Sequence, residues 1–287
     1  MNASRIALLA ACSLSPLATA DVITITTGQT GGADAHIQSD STPDNNSNQS
    51  GQNFGSAGNM LVKYDTGDGT MNEGRKLYLR FSLNAPEPDV VPSQIAGATL
   101  SITLATAHNA SAFTYRLWGL NDGFAGVDKS TTPDGDTVDD EDIHGENWSE
   151  SLIDWASAPA NFIQTTTTNN AAFATQSKGF TSDATLLGQF TIAGSTAAGT
   201  TIVINSFGTP LTGGTQSLVD FLKSDTNGLV TFMIARETSN SAISEFASDE
   251  HATFDPPTLA ITIPEPATLA LSVLGLGLLL PRRRAGA

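Results

Sequence analysis

Apolar and polar residues alternate along much of the chain. From Lys76 to Leu83 every second residue is Leu or Phe, and Lys76, Tyr78 and Arg80 occupy positions between them. Successive side chains of a β-strand point to opposite faces of its sheet, so this alternation predicts a half-buried strand. The same pattern marks seven further runs: Val22–Thr26, Thr99–Thr106, Phe113–Leu117, Leu186–Ile192, Thr200–Ile204, Leu229–Ile234 and Thr258–Ile263. We expect about nine strands in all.

One segment has helical spacing. Between Thr215 and Lys223 the apolar residues recur at intervals of three and four, which predicts a short helix. Two stretches, Gln38–Gly58 and Asp122–Asn147, are rich in polar residues and predict long surface loops. Many short strands with scarcely any helix are typical of a β-sandwich. We therefore expect an all-β, jelly-roll-like fold with its core between two sheets.

The N-terminus has the features of a secretory signal peptide. Residues 1–20 contain one basic residue, Arg5, then an apolar stretch, and they end in Ala18-Thr19-Ala20, an A-x-A cleavage pattern. Cleavage after Ala20 would remove Cys12, the single cysteine of the sequence, and leave a domain without thiol or disulfide chemistry. In the alternative interpretation Leu9–Cys12 is a lipobox, and Cys12 would be lipidated.

The C-terminus has three parts in a fixed order. Pro264, Glu265 and Pro266 precede an apolar run, Ala267–Leu280, which predicts a hydrophobic helix. Such a helix would rise roughly 21 Å, against about 30 Å for the hydrocarbon core of a bilayer, so it is a marginal span. Three arginines follow, and the positive-inside rule would keep them in the cytoplasm: Arg282, Arg283 and Arg284.

This tripartite tail resembles the PEP-CTERM sorting signal of Gram-negative bacteria. The resemblance implies recognition by an exosortase, transient anchoring in the inner membrane, and release to the cell surface or into an exopolysaccharide matrix. The other interpretations of the tail are a membrane anchor and an apolar terminus without a sorting role. The chain then divides into a signal peptide (1–20), a β-sandwich domain (21–263) and a sorting segment (264–287).

The charge balance excludes one class of partner. The sequence carries 13 Lys and Arg against 29 Asp and Glu, for a net charge of -16. Nucleic-acid binding requires a basic surface that neutralises phosphates, so DNA and RNA are not expected partners. Four of the basic residues and one acid lie in the two ends, so the predicted domain is more acidic than the whole chain. Such acidity keeps an exported protein soluble.

Several segments, taken in order, resemble the DNRLRE domain. They are Asp34–Ile37, Asn53–Gly55, Leu61–Val62, Arg75–Leu83, Ile95–Leu100, Trp148–Trp155, Ala158–Pro159, Val219–Leu222, Glu245–Glu250 and Pro256–Leu259. That family is related to an alginate-binding carbohydrate-binding module. The resemblance implies a jelly-roll sandwich that binds polysaccharide or forms an adhesive surface. The family often has a basic residue where Asp249 stands here, so a charged binding site does not carry over to residues 248–250.

Flat aromatic rings are the first candidates for sugar contact, because the C–H faces of sugars stack on them. Tyr78 and Arg80 share a face of one predicted strand, and Arg116 and Trp118 share a face of another. If the two strands are neighbours, these four side chains would form an exposed patch suited to a uronate polymer. In the alternative, Trp118 belongs to the core or packs beneath a loop. Trp148 and Trp155 are either loop anchors or sugar platforms.

An acidic run in the second loop is the metal candidate. Its carboxylates offer the hard oxygen ligands that Ca²⁺ prefers, and they are Asp134, Asp136, Asp139, Asp140 and Asp142. The run departs from the EF-hand pattern, because Val138 stands at the third ligand position. Bound Ca²⁺ and a solvated run of charge are the two interpretations.

Catalytic motifs are not evident. The four histidines lie outside H-x-H, H-E-x-x-H and G-x-S-x-G contexts, and the sequence cannot reveal the spacing of a carboxylate pair. We therefore predict a non-catalytic surface or matrix protein that binds extracellular polysaccharide. The alternatives are a structural biofilm protein without a sugar site, and a polysaccharide lyase or glycoside hydrolase.

Overall fold

The computed structural model describes residues 20–39, 51–64, 74–86, 89–126, 144–161, 179–205 and 208–264. Residues Val22–Ile263 form one compact unit. The described residues contain eleven strands: β1 (Ala20–Thr26), β2 (Ala33–Gln38), β3 (Asn59–Tyr64), β4 (Arg75–Ser82), β5 (Gly97–Thr103), β6 (Phe113–Leu120), β7 (Ala184–Ile192), β8 (Thr201–Asn205), β9 (Leu229–Arg236), β10 (Asn240–Ala247) and β11 (Thr258–Pro264).

The strands form two antiparallel sheets. The smaller sheet has the order β1–β11–β5–β8. The larger has the order β10–β3–β4–β9–β6–β7, and β2 pairs with β4 beside this path. The predicted all-β sandwich is confirmed. Each of the eight alternating runs overlaps one strand. β3 and β10 were not predicted because their apolar residues do not alternate cleanly, and β2 was not predicted although it alternates, since two of its three apolar residues are alanines.

The main core lies between the inner faces of the two sheets. Leu77, Leu79 and Phe81 of β4 are fully buried, as are Leu100 and Ile102 of β5. Burial of this apolar area provides the dominant favourable contribution to folding. The alternation of β4 and β5 therefore identified the inward residues correctly.

The predicted helix forms over Leu218–Lys223, and a 3₁₀ turn forms at Pro92–Gln94. Ser217 is the N-cap of the α-helix, and its hydroxyl accepts a hydrogen bond from the amide of Asp220. Such a cap satisfies one of the amides that the first helical turn leaves unpaired. Leu218, Phe221 and Leu222 are buried against the main core.

The outer face of the larger sheet is also covered, so the prediction that β4 is half-buried is wrong. Lys76 and Tyr78 are 0% exposed. A second apolar cluster lies on this face, and it includes residues of two irregular segments, 144–161 and 179–184, which we call the cover segments. Trp148, Trp155 and Phe180 of these segments pack there. A strand can thus alternate in sequence and still be buried on both sides.

Several predictions lie outside the described residues. They concern the signal peptide up to residue 19, the acidic run 134–142 and the tail from Glu265 to Arg284, including its hydrophobic helix. Pro264 is described and ends β11. Within the described part of the chain, no helix combines the length and hydrophobicity that a bilayer crossing requires.

Candidate functional site

The four side chains predicted to form an aromatic and cationic patch do not do so. β9 lies between β4 and β6, and Met233 of β9 pairs with Tyr78 on one side and with Trp118 on the other. Tyr78 is fully buried, and its hydroxyl donates to the carbonyl of Pro159 at 3.0 Å. The prediction of one exposed patch is therefore wrong, because a strand separates its halves and the cover segments lie over Tyr78.

Arg116 and Trp118 lie on the same face of β6, as the alternation predicted, and both are half-buried. Trp118 packs edge-on against Phe180, with ring centroids 5.8 Å apart, at the margin of the second cluster. Arg116 Nε lies 2.5 Å from the Glu237 carboxylate. Trp118 thus follows the alternative interpretation, in which it packs beneath a loop.

Trp148 and Trp155 are 1% and 5% exposed, so neither ring presents a face to a sugar. The indole N–H of Trp148 donates to the hydroxyl of Thr231 on β9 at 3.0 Å. The ring of Trp155 lies beneath Lys76 Nζ, which is 5.0 Å from the ring centroid. These contacts attach the cover segment to the sheet and support the loop-anchor interpretation.

A polar cleft of about 470 Å³ opens beside the cover segment 144–161. Its wall offers amide, hydroxyl, carboxylate and guanidinium groups, from Asn53, Arg80, Asn147, Ser149, Glu150 and Glu250. Asn147 is exposed, whereas Arg80 is half-buried. Of the six predicted ligand-binding residues, Arg80 and Trp148 line this cleft.

Arg80 holds one wall of the cleft together. Its Nε donates to the carbonyl of Gly31 at 3.0 Å, and its Nη1 donates to the carbonyl of Trp148. The guanidinium carbon also lies 5.2 Å from the Trp148 ring centroid, within cation–π range. Burial lowers the pKa of Arg80 from its usual value, and the nearby Glu150 carboxylate partly offsets this effect.

Asn53 and Gly55 also contact the segment that carries Glu150. The Asn53 side-chain amide donates to the carbonyls of Glu150 and Ile153, both at 2.7 Å. Gly55 approaches so closely that a Cβ there would lie 1.9 Å from the Glu150 carbonyl oxygen. Only glycine fits at this contact. The backbone of Glu150 is therefore held in place on two sides.

Four carboxylates lie close together beside the cleft, and two of them, Glu150 and Glu250, line it. Asp34, Glu150, Asp249 and Glu250 can each place an oxygen within 4.8 Å of the other three. Asp34 lies on β2 and is 0% exposed, Glu150 lies in the cover segment, and the other two follow β10. We call this group the carboxylate cluster. It joins three segments that are far apart in the sequence.

The cluster changes the acidity of its members. Burial, with repulsion from the neighbouring carboxylates, raises the pKa of Asp34 to about 8, although a hydrogen bond from Thr27 opposes the rise. Burial and the same repulsion raise the pKa of Glu150 to about 7, while Arg80 lowers it slightly. The pKa of Glu250 is also raised, first by burial and then by Asp249. Ionised carboxylates at this spacing repel one another.

Asp34 is oriented by its neighbours. Its Oδ2 accepts from the Thr27 hydroxyl at 2.6 Å and from the amide of Asp249 at 3.0 Å. Its own amide donates to Glu150 Oε1 at 3.2 Å. Its second oxygen, Oδ1, is buried and finds no hydrogen-bond partner within the described part of the chain, and the same is true of Asp249 Oδ1. Buried carboxylate oxygens without partners are rare in folded proteins.

Sequence reasoning did not single out this cluster as a site. Asp34 lies 116 residues from Glu150 and 215 residues from Asp249, and only the fold brings them together. The acid at position 249 departs from the DNRLRE pattern, but neither Asp249 nor Asp34 was predicted to bind a ligand. Comparison of the sequence with models of known protein families and with curated proteins finds no match.

Proposed function

We propose that this protein is an exported, non-catalytic β-sandwich that binds extracellular polysaccharide in the cleft beside Arg80. The observation that carries the proposal is the composition of the cleft wall. Amide, hydroxyl, carboxylate and guanidinium groups line an open cleft of about 470 Å³. Sugars are recognised through hydroxyls that donate to carboxylates and accept from amides and guanidinium groups.

The charge of the cleft favours one class of glycan. Glu150 and Glu250 line it, whereas Arg80 uses two of its donors on the carbonyls of Gly31 and Trp148. A neutral polymer can approach these acids without repulsion. A uronate polymer would need a bridging cation, since like charges repel at this distance. In the absence of a bound cation, neutral polysaccharide is therefore the preferred ligand class of the proposal.

Location completes the proposal. The A-x-A pattern ending at Ala20 supports export, and the tail from Pro264 resembles a PEP-CTERM signal. Exosortase would be the processing partner, and the inner membrane a transient anchor. The mature protein would then act at the cell surface or in the secreted matrix. Mass spectrometry of the secreted form tests this part, which predicts loss of residues 1–20 and processing near Pro264–Pro266.

Affinity-gel retention on a panel of neutral and uronate polysaccharides tests the binding proposal. We expect retention by a neutral class, reduced at least fivefold by the double variant Asn147→Ala, Ser151→Ala, because both residues line the cleft. The matched control is Asn205→Ala on β8, an exposed asparagine outside the cleft. Equal migration on every glycan would overturn the proposal and favour a structural matrix protein.

Glycan hydrolysis is a second candidate that one observation favours. Burial and neighbouring carboxylates raise the pKa of Glu150 to about 7, and a second carboxylate, Glu250, lines the same cleft. A carboxylic acid that stays protonated near neutral pH can act as a general acid. Release of new reducing ends by the protein, abolished in Glu150→Gln, would establish hydrolysis. Unsaturated ends would instead indicate a lyase.

A further inference from the structure

The carboxylate cluster has the geometry of a cation site. Ca²⁺ binds oxygen ligands at 2.3–2.6 Å, so two oxygens on one ion lie at most about 5 Å apart. The four carboxylates meet this limit, since their oxygens lie within 4.8 Å of one another. Mg²⁺, with bonds of about 2.0–2.1 Å, requires all its ligands within about 4.2 Å.

A second observation points to a ligand, independently of the number of acids. Asp34 is fully buried, and its Oδ1 has no hydrogen-bond partner within the described residues. Its Oδ2 is held by the Thr27 hydroxyl and by the amide of Asp249. Metal-binding carboxylates are commonly held in this way, with one oxygen bonded to the protein and the other directed to the ion.

We propose that Asp34, Glu150, Asp249 and Glu250 bind one Ca²⁺ ion. Four carboxylates supply four to eight oxygens, depending on whether each binds through one oxygen or two, and Ca²⁺ takes six to eight. Glu150 and Glu250 also line the open cleft, from which water can complete the coordination shell. The ion neutralises charge that otherwise opposes the approach of these four groups.

The proposed ion joins β2, the cover segment and the turn after β10. Asp34 lies in the first of these segments, Glu150 in the second and Asp249 in the third. Bound Ca²⁺ therefore stabilises the wall of the cleft as well as the fold, because an ion that binds only the folded state raises the unfolding temperature. This site stands on the carboxylates alone and does not depend on polysaccharide binding.

Titration of the full chain with Ca²⁺ after removal of divalent cations tests the proposal. Calorimetry should show binding, and the unfolding temperature should rise with Ca²⁺ concentration. Asp34→Asn should weaken the affinity at least tenfold, because it removes a charge and a ligand oxygen at nearly constant volume. Glu150→Gln, at a half-buried position, is the second variant in case Asp34→Asn does not fold. Asp89→Asn, at an exposed aspartate outside the cluster, should bind as the unaltered chain does.

Two results would overturn the proposal. One is the absence of binding at millimolar Ca²⁺. The other is binding that both cluster variants retain but that Asp136→Asn with Asp140→Asn abolishes, because the ion would then belong to the acidic run. Glycan retention is measured separately. If the unaltered protein binds glycan but no Ca²⁺, the calcium site is contradicted and the proposed polysaccharide binding stands.

Discussion

The two faces of β4 show two different ways of burying a strand. Its inward residues, Leu77, Leu79 and Phe81, pack against the smaller sheet through apolar contacts only. Its outward residues are Lys76, Tyr78 and Arg80, and each of them donates to a backbone carbonyl. The hydrophobic contacts of the inward face have no preferred direction, whereas burial of the outward face depends on specific hydrogen bonds.

The outward face shows that polar residues in an alternating pattern need not be exposed. Lys76 Nζ donates to Asn161 Oδ1 at 2.8 Å and to the carbonyl of Gly179 at 2.7 Å. Lys76 Nζ also lies 4.4 Å from the Phe180 ring centroid. Both cover segments thus contact this one side chain. The sequence of β4 is the same whether or not such segments lie over it, so the pattern alone cannot distinguish the two cases.

The largest expected effect comes from the inward face. Phe81 is fully buried and packs against Phe232, with ring centroids 5.9 Å apart. Phe81→Ala removes this apolar surface and leaves a cavity, so we expect the free energy of unfolding to fall by about 3–5 kcal/mol. Chemical denaturation measures the change. Val203→Ala, at a position 57% exposed, is the control and should change the value by less than about 0.5 kcal/mol.

The fold could be predicted from the sequence where the alternation along a strand shows which residues face the core. Leu100 and Ile102, for example, alternate with polar residues and face the core as predicted. β2 was not predicted, although Ala33, Ala35 and Ile37 alternate with Asp34, His36 and Gln38 and all six residues are buried. Two of its three apolar residues are alanines, so its alternation carries only a weak hydrophobic signal.

The site was less accessible than the fold, and for a related reason. The predicted patch required that β4 and β6 be neighbours and that its side chains be exposed. β9 lies between the two strands, and the cover segments bury Tyr78. The cleft depends on side chains from irregular segments such as Asn147 and Glu150, whose positions follow from tertiary contacts. Non-local pairing of this kind cannot be deduced from local spacing.

The second prediction concerns the pH dependence that burial gives to the outward face. Burial lowers the pKa of Lys76 well below its usual 10.5. A neutral amine still has two N–H donors, which suits its two acceptors, Asn161 and Gly179. Between the two pKa values the unfolded chain binds a proton that the folded chain does not, so stability rises with pH.

Lys76→Met isolates this contribution, because methionine has a similar length and no titratable group. We expect the unfolding free energy of the unaltered protein to rise with pH relative to that of the variant, by up to about 1.4 kcal/mol per pH unit. This rise should occur at pH values above the lowered pKa and below 10.5. Denaturation of both proteins at several pH values measures the difference. Parallel stability curves would show that Lys76 remains charged when folded, and the contrast between the two faces would then be one of geometry alone.

The smallest expected effect on stability comes from an ion pair on the part of the outer face that water reaches. Arg116 and Glu237 form an ion pair with side chains 28% and 27% exposed. Exposed pairs contribute about 0.2–1 kcal/mol, because solvent screens the attraction and ordering two side chains costs entropy. A double-mutant cycle of Arg116→Ala and Glu237→Ala should give a coupling energy in this range that shrinks as salt is added. A coupling above about 2 kcal/mol, insensitive to salt, would mean that the covered surface extends over β6 as well, and that the outer face is buried by directional contacts along its whole width.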